Sequence, residues 1–122
     1  MEVAAVDWIR QVGIFRLTGS RFFGTERPDS DWDYYGPDHW MIRAYLVLCG
    51  FSEVKRPIEE GSDLRATYLN AKRKMHVQLR GRPDLRDEIQ QAMKELDIGP
   101  LLENKVNAKK IWKFGYRLKG QT

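Results

Sequence analysis

The sequence predicts an α/β (α+β) fold in a single domain, with strands and helices that follow one another along the chain. Short apolar runs, including one that alternates every second residue, are interleaved with longer segments whose apolar residues recur every three to four positions. The chain has 122 residues, which is typical of one domain that buries its own core. Hydrophobic residues make up 42%, and neither an internal repeat nor a domain boundary is visible.

The first half of the chain is predicted to contain three helices and two strands. Gly13 ends the first helix. The last helix of this half begins at Pro37 and Asp38, which suit a first turn, and it is apolar nearly all round, so we expect it to be buried. The predicted elements are a helix over 2–13, a strand over 14–17, a turn with a short helix over 18–23, a strand over 31–35 and a helix over 36–49.

The second half is predicted to contain a hairpin followed by two helices. In the second hairpin strand, Met75, Val77 and Leu79 face one way, and His76 and Gln78 face the other. The predicted elements are a short extended segment over 51–55, a loop over 57–63, hairpin strands over 64–69 and 74–79, a helix from 82 that carries Leu85, Ile89, Ala92 and Leu96 and ends at Gly99, and a last helix over 101–118.

The candidate functional residues follow the first predicted strand. Gly19 has no Cβ, so the main chain can approach an anion closely, and Ser20 and Arg21 add a hydroxyl donor and a cation. Asp31 and Asp33 lie two apart in a predicted strand, which places both carboxylates on one face, roughly 7 Å apart along the chain. Paired carboxylates bind a hard cation such as Mg²⁺, which completes its coordination with water and substrate phosphates. This pattern favours nucleotide chemistry.

The string Gly-Ser-Arg-x-x-Gly-Thr-x4-Ser-Asp-x-Asp-Tyr, which starts at Gly19, resembles the nucleotidyltransferase superfamily of the DNA polymerase beta type. It is most similar to the small stand-alone members that are common in bacteria and phages. The resemblance implies a mixed β-sheet flanked by helices. It also implies transfer of a nucleoside monophosphate from a nucleoside triphosphate (NTP) to a hydroxyl of RNA, a small molecule or a protein, with Mg²⁺ or Mn²⁺. The residues assigned in this way are Gly19, Ser20, Arg21 and Ser30 for the nucleotide, and Asp31 and Asp33 for the metal.

The resemblance implies a third carboxylate on a later strand, and His76 stands at that position. Histidine has an ordinary pKa of about 6.5, which suits a general base. Neutral imidazole also binds Mn²⁺ or Zn²⁺ more readily than Mg²⁺. The alternative is a decayed site in which His76 only covers a polar strand face. The sequence therefore leaves open whether the protein is an active enzyme.

Ordinary structural roles compete with the functional ones at several residues. Arg21 either binds phosphate or pairs with Glu26 or Asp29. We expect His39 to have a surface role and Cys49 to belong to the core rather than act as a nucleophile. The aspartate pair itself has the alternative role of solvated turn acids.

The net charge of +4 is concentrated in the last predicted helix. Residues 104–122 carry six cations and no acid, whereas the rest of the chain has a net charge of −2. This stripe is usually a solvated face, but with Trp112 and Tyr116 interleaved it can attract nucleic acid or an acidic partner. It supports a second hypothesis, a catalytically impaired fold that acts as a binding or inhibitory module for a host protein or nucleic acid. A nucleotide sensor that changes its partner affinity is a third.

The composition predicts a cytoplasmic protein without a membrane segment. Cys49 is the single cysteine, so no internal disulfide can form, which indicates a reducing compartment. No apolar run approaches the length that spans a bilayer, and the N-terminus lacks a signal-peptide pattern.

Overall fold

The computed structural model describes residues 13–57 and 61–120. Over these ranges the chain forms one five-stranded mixed sheet with α-helices, so the predicted α+β class is confirmed. The helix predicted over 2–13 lies outside the described residues, as do residues 58–60 of the predicted loop. In the part that is described, no helix is both long enough and apolar enough to cross a bilayer.

The elements follow the predicted order, with shifted boundaries. They are β1 (Arg16–Thr18), α1 (Ser20–Phe23), β2 (Trp32–Pro37), α2 (Trp40–Leu48), β3 (Ser52–Val54), β4 (Leu64–Asn70), β5 (Met75–Arg80), α3 (Pro83–Glu95), a 3₁₀ helix (Gly99–Glu103) and α4 (Lys105–Gly120).

The strands of the sheet lie in the order β1-β2-β5-β4-β3. Strand β2 pairs antiparallel with β1 on one side and parallel with β5 on the other. Strands β4 and β5 form the predicted antiparallel hairpin. The register places Asp33 opposite Thr18 of β1 and opposite His76 of β5. Two segments that are far apart in sequence therefore meet at Asp33.

One face of the sheet is apolar and carries the main core. Met75, Val77 and Leu79 are buried along β5, as the alternation predicts, whereas His76 and Gln78 are only partly buried. These apolar side chains pack in one cluster with residues of β2, β4 and the end of α2. Cys49 belongs to this cluster and is 1% exposed, so its predicted core position is confirmed.

Helix α2 begins later than predicted. Gly36 and Pro37 continue β2, because they pair with Leu79 and Arg80 of β5 instead of starting a helix. The helix starts after His39, whose Nδ1 accepts a hydrogen bond from the backbone N–H of Met41 at 3.1 Å.

Helix α2 is also less buried than predicted. Leu46 is its one fully buried residue, with Ile42 and Tyr45 packed beside it, so a single stripe of the helix faces the core. On the other sides Trp40 and Val47 are 70% and 58% exposed. The expectation of a fully buried helix was wrong because an apolar composition does not determine how many sides of a helix the sheet covers.

The opposite face of the sheet is polar and is covered by α3. Tyr35, which is fully buried, donates a hydrogen bond from its hydroxyl to Asp87 Oδ1 at 3.0 Å. Gln90 Nε2 donates to the Tyr35 hydroxyl and to the Leu17 carbonyl. Directional hydrogen bonds therefore attach this helix to the sheet.

The buried stripe of α3 differs from the predicted one. Leu85 and Ile89 are buried as predicted, but Ala92 and Leu96 are exposed. The remaining buried positions of the helix are Arg86, Gln90 and Met93. The stripe is rotated because polar side chains of α3 find partners on the polar face of the sheet.

The last predicted helix is divided in two. The 3₁₀ helix is followed by Asn104, whose side-chain Oδ1 accepts hydrogen bonds from the N–H groups of Val106 and Asn107 and so caps α4. Trp112 and Tyr116 of α4 pack against the apolar residues of α3, in a second, smaller cluster. The two aromatic rings therefore belong largely to the helix–helix contact.

Candidate functional site

Three of the predicted site residues lie together at one end of β2 and β5. Asp33 and His76 are paired across the parallel strands, and Asp31 directly precedes β2. His76 Nδ1 lies 3.4 Å from Asp33 Oδ1 and 3.7 Å from Asp31 Oδ2. We call these three residues the Asp–His group.

Gly19 adjoins the Asp–His group. Its backbone has φ 73° and ψ −160°, a conformation that is essentially restricted to glycine. A Cβ at this position would lie 2.5 Å from Asp33 Oδ2. The absence of a Cβ at Gly19 thus lets the Asp33 carboxylate lie close to the main chain. The predicted bend at Gly19 and Asp33 are therefore adjacent.

Within the Asp–His group, Asp33 and His76 are partly buried, whereas Asp31 is exposed. Burial raises the pKa of the Asp33 carboxyl above its ordinary value, and the charge of Asp31 acts in the same direction. His76, Arg56 and Arg86 oppose this rise in the Asp33 pKa. His76 Nδ1 is buried and has no hydrogen-bond partner. His76 Nδ1 therefore faces two carboxylate oxygens without a hydrogen bond to either.

The Asp–His group suits a divalent cation by the chemistry of its atoms. Two carboxylates supply the oxygen ligands that Mg²⁺ and Mn²⁺ prefer, and a neutral His76 would offer Nδ1, which lies beside both carboxylates, as a nitrogen ligand for Mn²⁺ or Zn²⁺. In residues 13–57 and 61–120, no three His, Cys, Asp or Glu side chains already form a metal-binding cluster. The group provides suitable ligand atoms, but these atoms are not already arranged as a metal-binding site.

A cleft of about 350 Å³ has Gly19 in its lining. We call it the Gly19 cleft. Hydroxyl groups, cations and apolar side chains line it, and its lining includes no carboxylate. Its lining includes Gly19, Ser20, Thr25, Arg27, Ser30 and Arg86, together with Ala108 and Trp112 of α4.

Arg21 does not line this cleft. Its Nη2 donates a hydrogen bond to the Ser30 carbonyl at 2.8 Å, and its guanidinium lies over the Trp32 ring at 4.0 Å. Ser30 Oγ accepts from the backbone N–H of Arg27 at 2.8 Å. In the described contacts, Arg21 fixes the loop before β2 and pairs with neither of the two acids considered from the sequence.

Arg86 is a site residue that the sequence reasoning missed. It lies on α3, is 7% exposed and borders the cleft, where its Nη2 donates to Thr18 Oγ1 at 3.2 Å. Its guanidinium lies 3.3 Å from the centre of the Trp112 ring. The sequence contains one signal for it, because Arg86, Gln90 and Met93 follow helical spacing next to the predicted apolar stripe.

Comparisons with protein-family models, with curated proteins and with solved structures gave no match. The functional interpretation therefore depends on the motif and on the geometry of the Asp–His group and the Gly19 cleft.

Replacing His76 by aspartate should strengthen the response to Mn²⁺. In EDTA, we expect a melting temperature a few degrees lower, because a third carboxylate repels Asp31 and Asp33. Added Mn²⁺ should then raise the melting temperature more than it does in the wild type. Gln78→Asp, which adds an acid on the same strand face, is the control and should not gain this response. Equal Mn²⁺ shifts in the wild type and both variants would argue against a cation site.

Proposed function

We propose that this chain is a nucleotidyltransferase-like protein, which transfers a nucleoside monophosphate from an NTP to a hydroxyl acceptor with Mg²⁺ or Mn²⁺. The observation that carries the proposal is the position of Asp33. It contacts the Gly19 bend and pairs in register with His76, so the two parts of the motif and the later strand meet at one residue. That convergence is what the resemblance implies for a nucleotide site.

The predicted site residues have different roles in the proposed reaction. Asp31 and Asp33 hold the divalent cation, which when bound supplies positive charge to the phosphoryl oxygens. Gly19 and Ser20 border the triphosphate on the cleft side. Arg21 acts indirectly, by fixing the loop that carries Ser30.

In the proposed reaction, His76 is the general base for the acceptor hydroxyl. The acceptor oxygen forms a bond to the α-phosphorus, and the bond to pyrophosphate breaks. His76 Nδ1, which lies 3.4 Å from Asp33 Oδ1 and in this reaction is not a metal ligand, accepts the proton of the attacking hydroxyl. Pyrophosphate leaves with the electron pair of the broken bond.

Label transfer tests the proposal directly. The full chain is incubated with ATP, GTP, CTP or UTP labelled at the α-phosphate, in cell extract that contains Mg²⁺ or Mn²⁺. We expect one or more nucleotides to leave label on RNA, protein or a small hydroxyl compound. The Asp31→Ala, Asp33→Ala double variant provides the background. Absence of transfer with all four nucleotides and both metals would overturn the proposal.

A second candidate function, a binding module without turnover, is supported by the outer side of α2. Trp40, Met41, Val47 and Leu48 are all exposed on this short helix. Exposed apolar residues in this number are typical of a protein-binding surface. A stoichiometric partner from extract that the Asp31→Ala, Asp33→Ala variant retains, and that a Trp40→Ser, Val47→Ser variant loses, would favour binding over catalysis.

A further inference from the structure

Arg86 is a buried cation without an anionic partner. Its described contacts are the Thr18 hydroxyl, the face of Trp112 and the hydroxyl of Tyr116, and its Nε has no hydrogen-bond partner. No carboxylate of the described residues forms an ion pair with it. Burying a charge without an ion-pair partner destabilises a fold, so an anionic ligand at this position is favoured.

The nearby acid Asp63 forms its hydrogen bonds with other donors. Asp63 is buried, but its Oδ1 accepts from Arg80 Nη1 at 2.7 Å and its Oδ2 accepts from the backbone N–H of Arg82 at 3.0 Å. Burial lowers the pKa of Arg86 to about 10, and the like charge of Arg80 contributes to this lowering. Arg86 remains a cation at neutral pH. The charges of Asp63 and Asp33 act on it electrostatically, but among the described residues neither carboxylate forms an ion pair with it.

The Gly19 cleft gives an anion access to Arg86. Arg86 borders the cleft together with Arg27, and the hydroxyl groups of Ser20, Thr25 and Ser30 are also in its lining. Guanidinium and hydroxyl groups are the donors that bind phosphate oxygens. The lining includes no carboxylate that would repel an anion.

We propose that the Gly19 cleft is a phosphate-binding site in which Arg86, with Arg27, binds the phosphate groups of a polyphosphate ligand without a divalent cation. The inference deepens the proposed function, and the identification of this ligand as a nucleoside triphosphate rests on that function. The anion site itself rests on the burial and the missing partner of Arg86.

Calorimetry with inorganic tripolyphosphate in EDTA tests the anion site in the full chain. The wild type should bind the probe, and Arg86→Gln should bind at least about 10-fold more weakly, because charge-assisted hydrogen bonds are lost. The matched control is Arg82→Gln, which removes the same charge from an exposed residue just before α3 that lies outside the Gly19 cleft. Its affinity should stay within about twofold of the wild type, as for a surface charge.

A second pair of variants leaves Arg86 in place, in case Arg86→Gln fails to fold. Ala108 of α4 lines the cleft, so Ala108→Glu introduces a carboxylate there, and Ala108→Gln occupies the same volume without charge. Ala108→Glu should bind tripolyphosphate at least about 10-fold more weakly than Ala108→Gln, because the new carboxylate competes for the guanidinium.

The outcomes separate this inference from the proposed function. Undetectable binding of tripolyphosphate to the wild type at millimolar concentration would overturn the phosphate site. So would equal affinity in the folded wild type and Arg86→Gln, or in Ala108→Glu and Ala108→Gln. Binding that depends on Arg86, together with no nucleotide transfer, would keep the phosphate site and remove the transferase function. Nucleotide transfer by the wild type, together with normal tripolyphosphate binding by Arg86→Gln, would keep the transferase function and remove the phosphate site.

Discussion

Replacing Asp33 by asparagine should reduce nucleotide transfer at least about 100-fold without lowering the stability of the fold. Changes to residues that only support a metal ligand cost about 10- to 100-fold, so loss of a ligand itself should cost at least the upper end of that range. Asp33 is also partly buried and lies beside Asp31, and both effects raise its pKa and make its ionised form unfavourable in the folded protein. Asparagine removes that charge while keeping nearly the same shape.

The effect of Asp33→Asn on stability should depend on pH in a defined direction. The pKa of Asp33 is raised in the folded state, so its contribution to stability is present below the ordinary aspartate value of about 3.9 and is lost as the pH rises through the folded-state pKa. The wild type should therefore lose stability relative to the variant over this interval, and the difference should persist at neutral pH.

Thermal unfolding in EDTA, measured from pH 3 to pH 8, checks this dependence, and the label-transfer assay checks activity. The matched control is Asp29→Asn, which removes an exposed acid from the same loop. It should change neither transfer nor the pH profile appreciably. An Asp33→Asn protein with wild-type transfer would exclude Asp33 as a metal ligand.

Replacing Gly19 by alanine should destabilise the fold by about 3 kcal/mol, since this backbone region is strained for any residue with a side chain. The added Cβ would also meet Asp33 Oδ2 at 2.5 Å. Denaturant unfolding measures the loss. Gly24→Ala is the matched control, because Gly24 also has positive φ but has open space around it, and it should cost only about 1–2 kcal/mol.

A double variant separates contact from backbone strain. In the Asp33→Ala background the closest atom is removed, so Gly19→Ala should cost about 1 kcal/mol less than it does alone. Additive effects of the two substitutions would mean that the contact between Gly19 and Asp33 contributes nothing. A Gly19→Ala cost no larger than that of Gly24→Ala would lead to the same conclusion.

The sequence was most informative where the relevant interactions are local. The period of two along β5 correctly assigned His76 to the polar face, and the turn between residues 70 and 75 correctly indicated a hairpin. The spacing of Asp31 and Asp33 placed both in the same strand region. The proximity of Asp33 to Gly19 could be anticipated because only a short loop separates the two parts of the motif.

The sequence was least informative where distant segments decide the outcome. Pro37 suits the first turn of a helix, yet pairing with Arg80, more than forty residues later, keeps it in β2. The exposure of Trp40 depends on which side of α2 the sheet covers. Arg86 was missed because the burial of a cation on α3 depends on Trp112 of α4 and Thr18 of β1, and no local pattern encodes both contacts.

The apolar and the polar face of the sheet should tolerate different kinds of substitution during evolution. Apolar neighbours such as Val77 and Leu79 accept substitutions one at a time, provided that the total volume is kept. On the other face, Tyr35, Asp87 and Gln90 form a chain of hydrogen-bond donors and acceptors. Substitution of one of these residues leaves its neighbour without a hydrogen-bond partner. Homologues should therefore drift freely on the first face, and on the second they should change only through coordinated, multi-residue replacements.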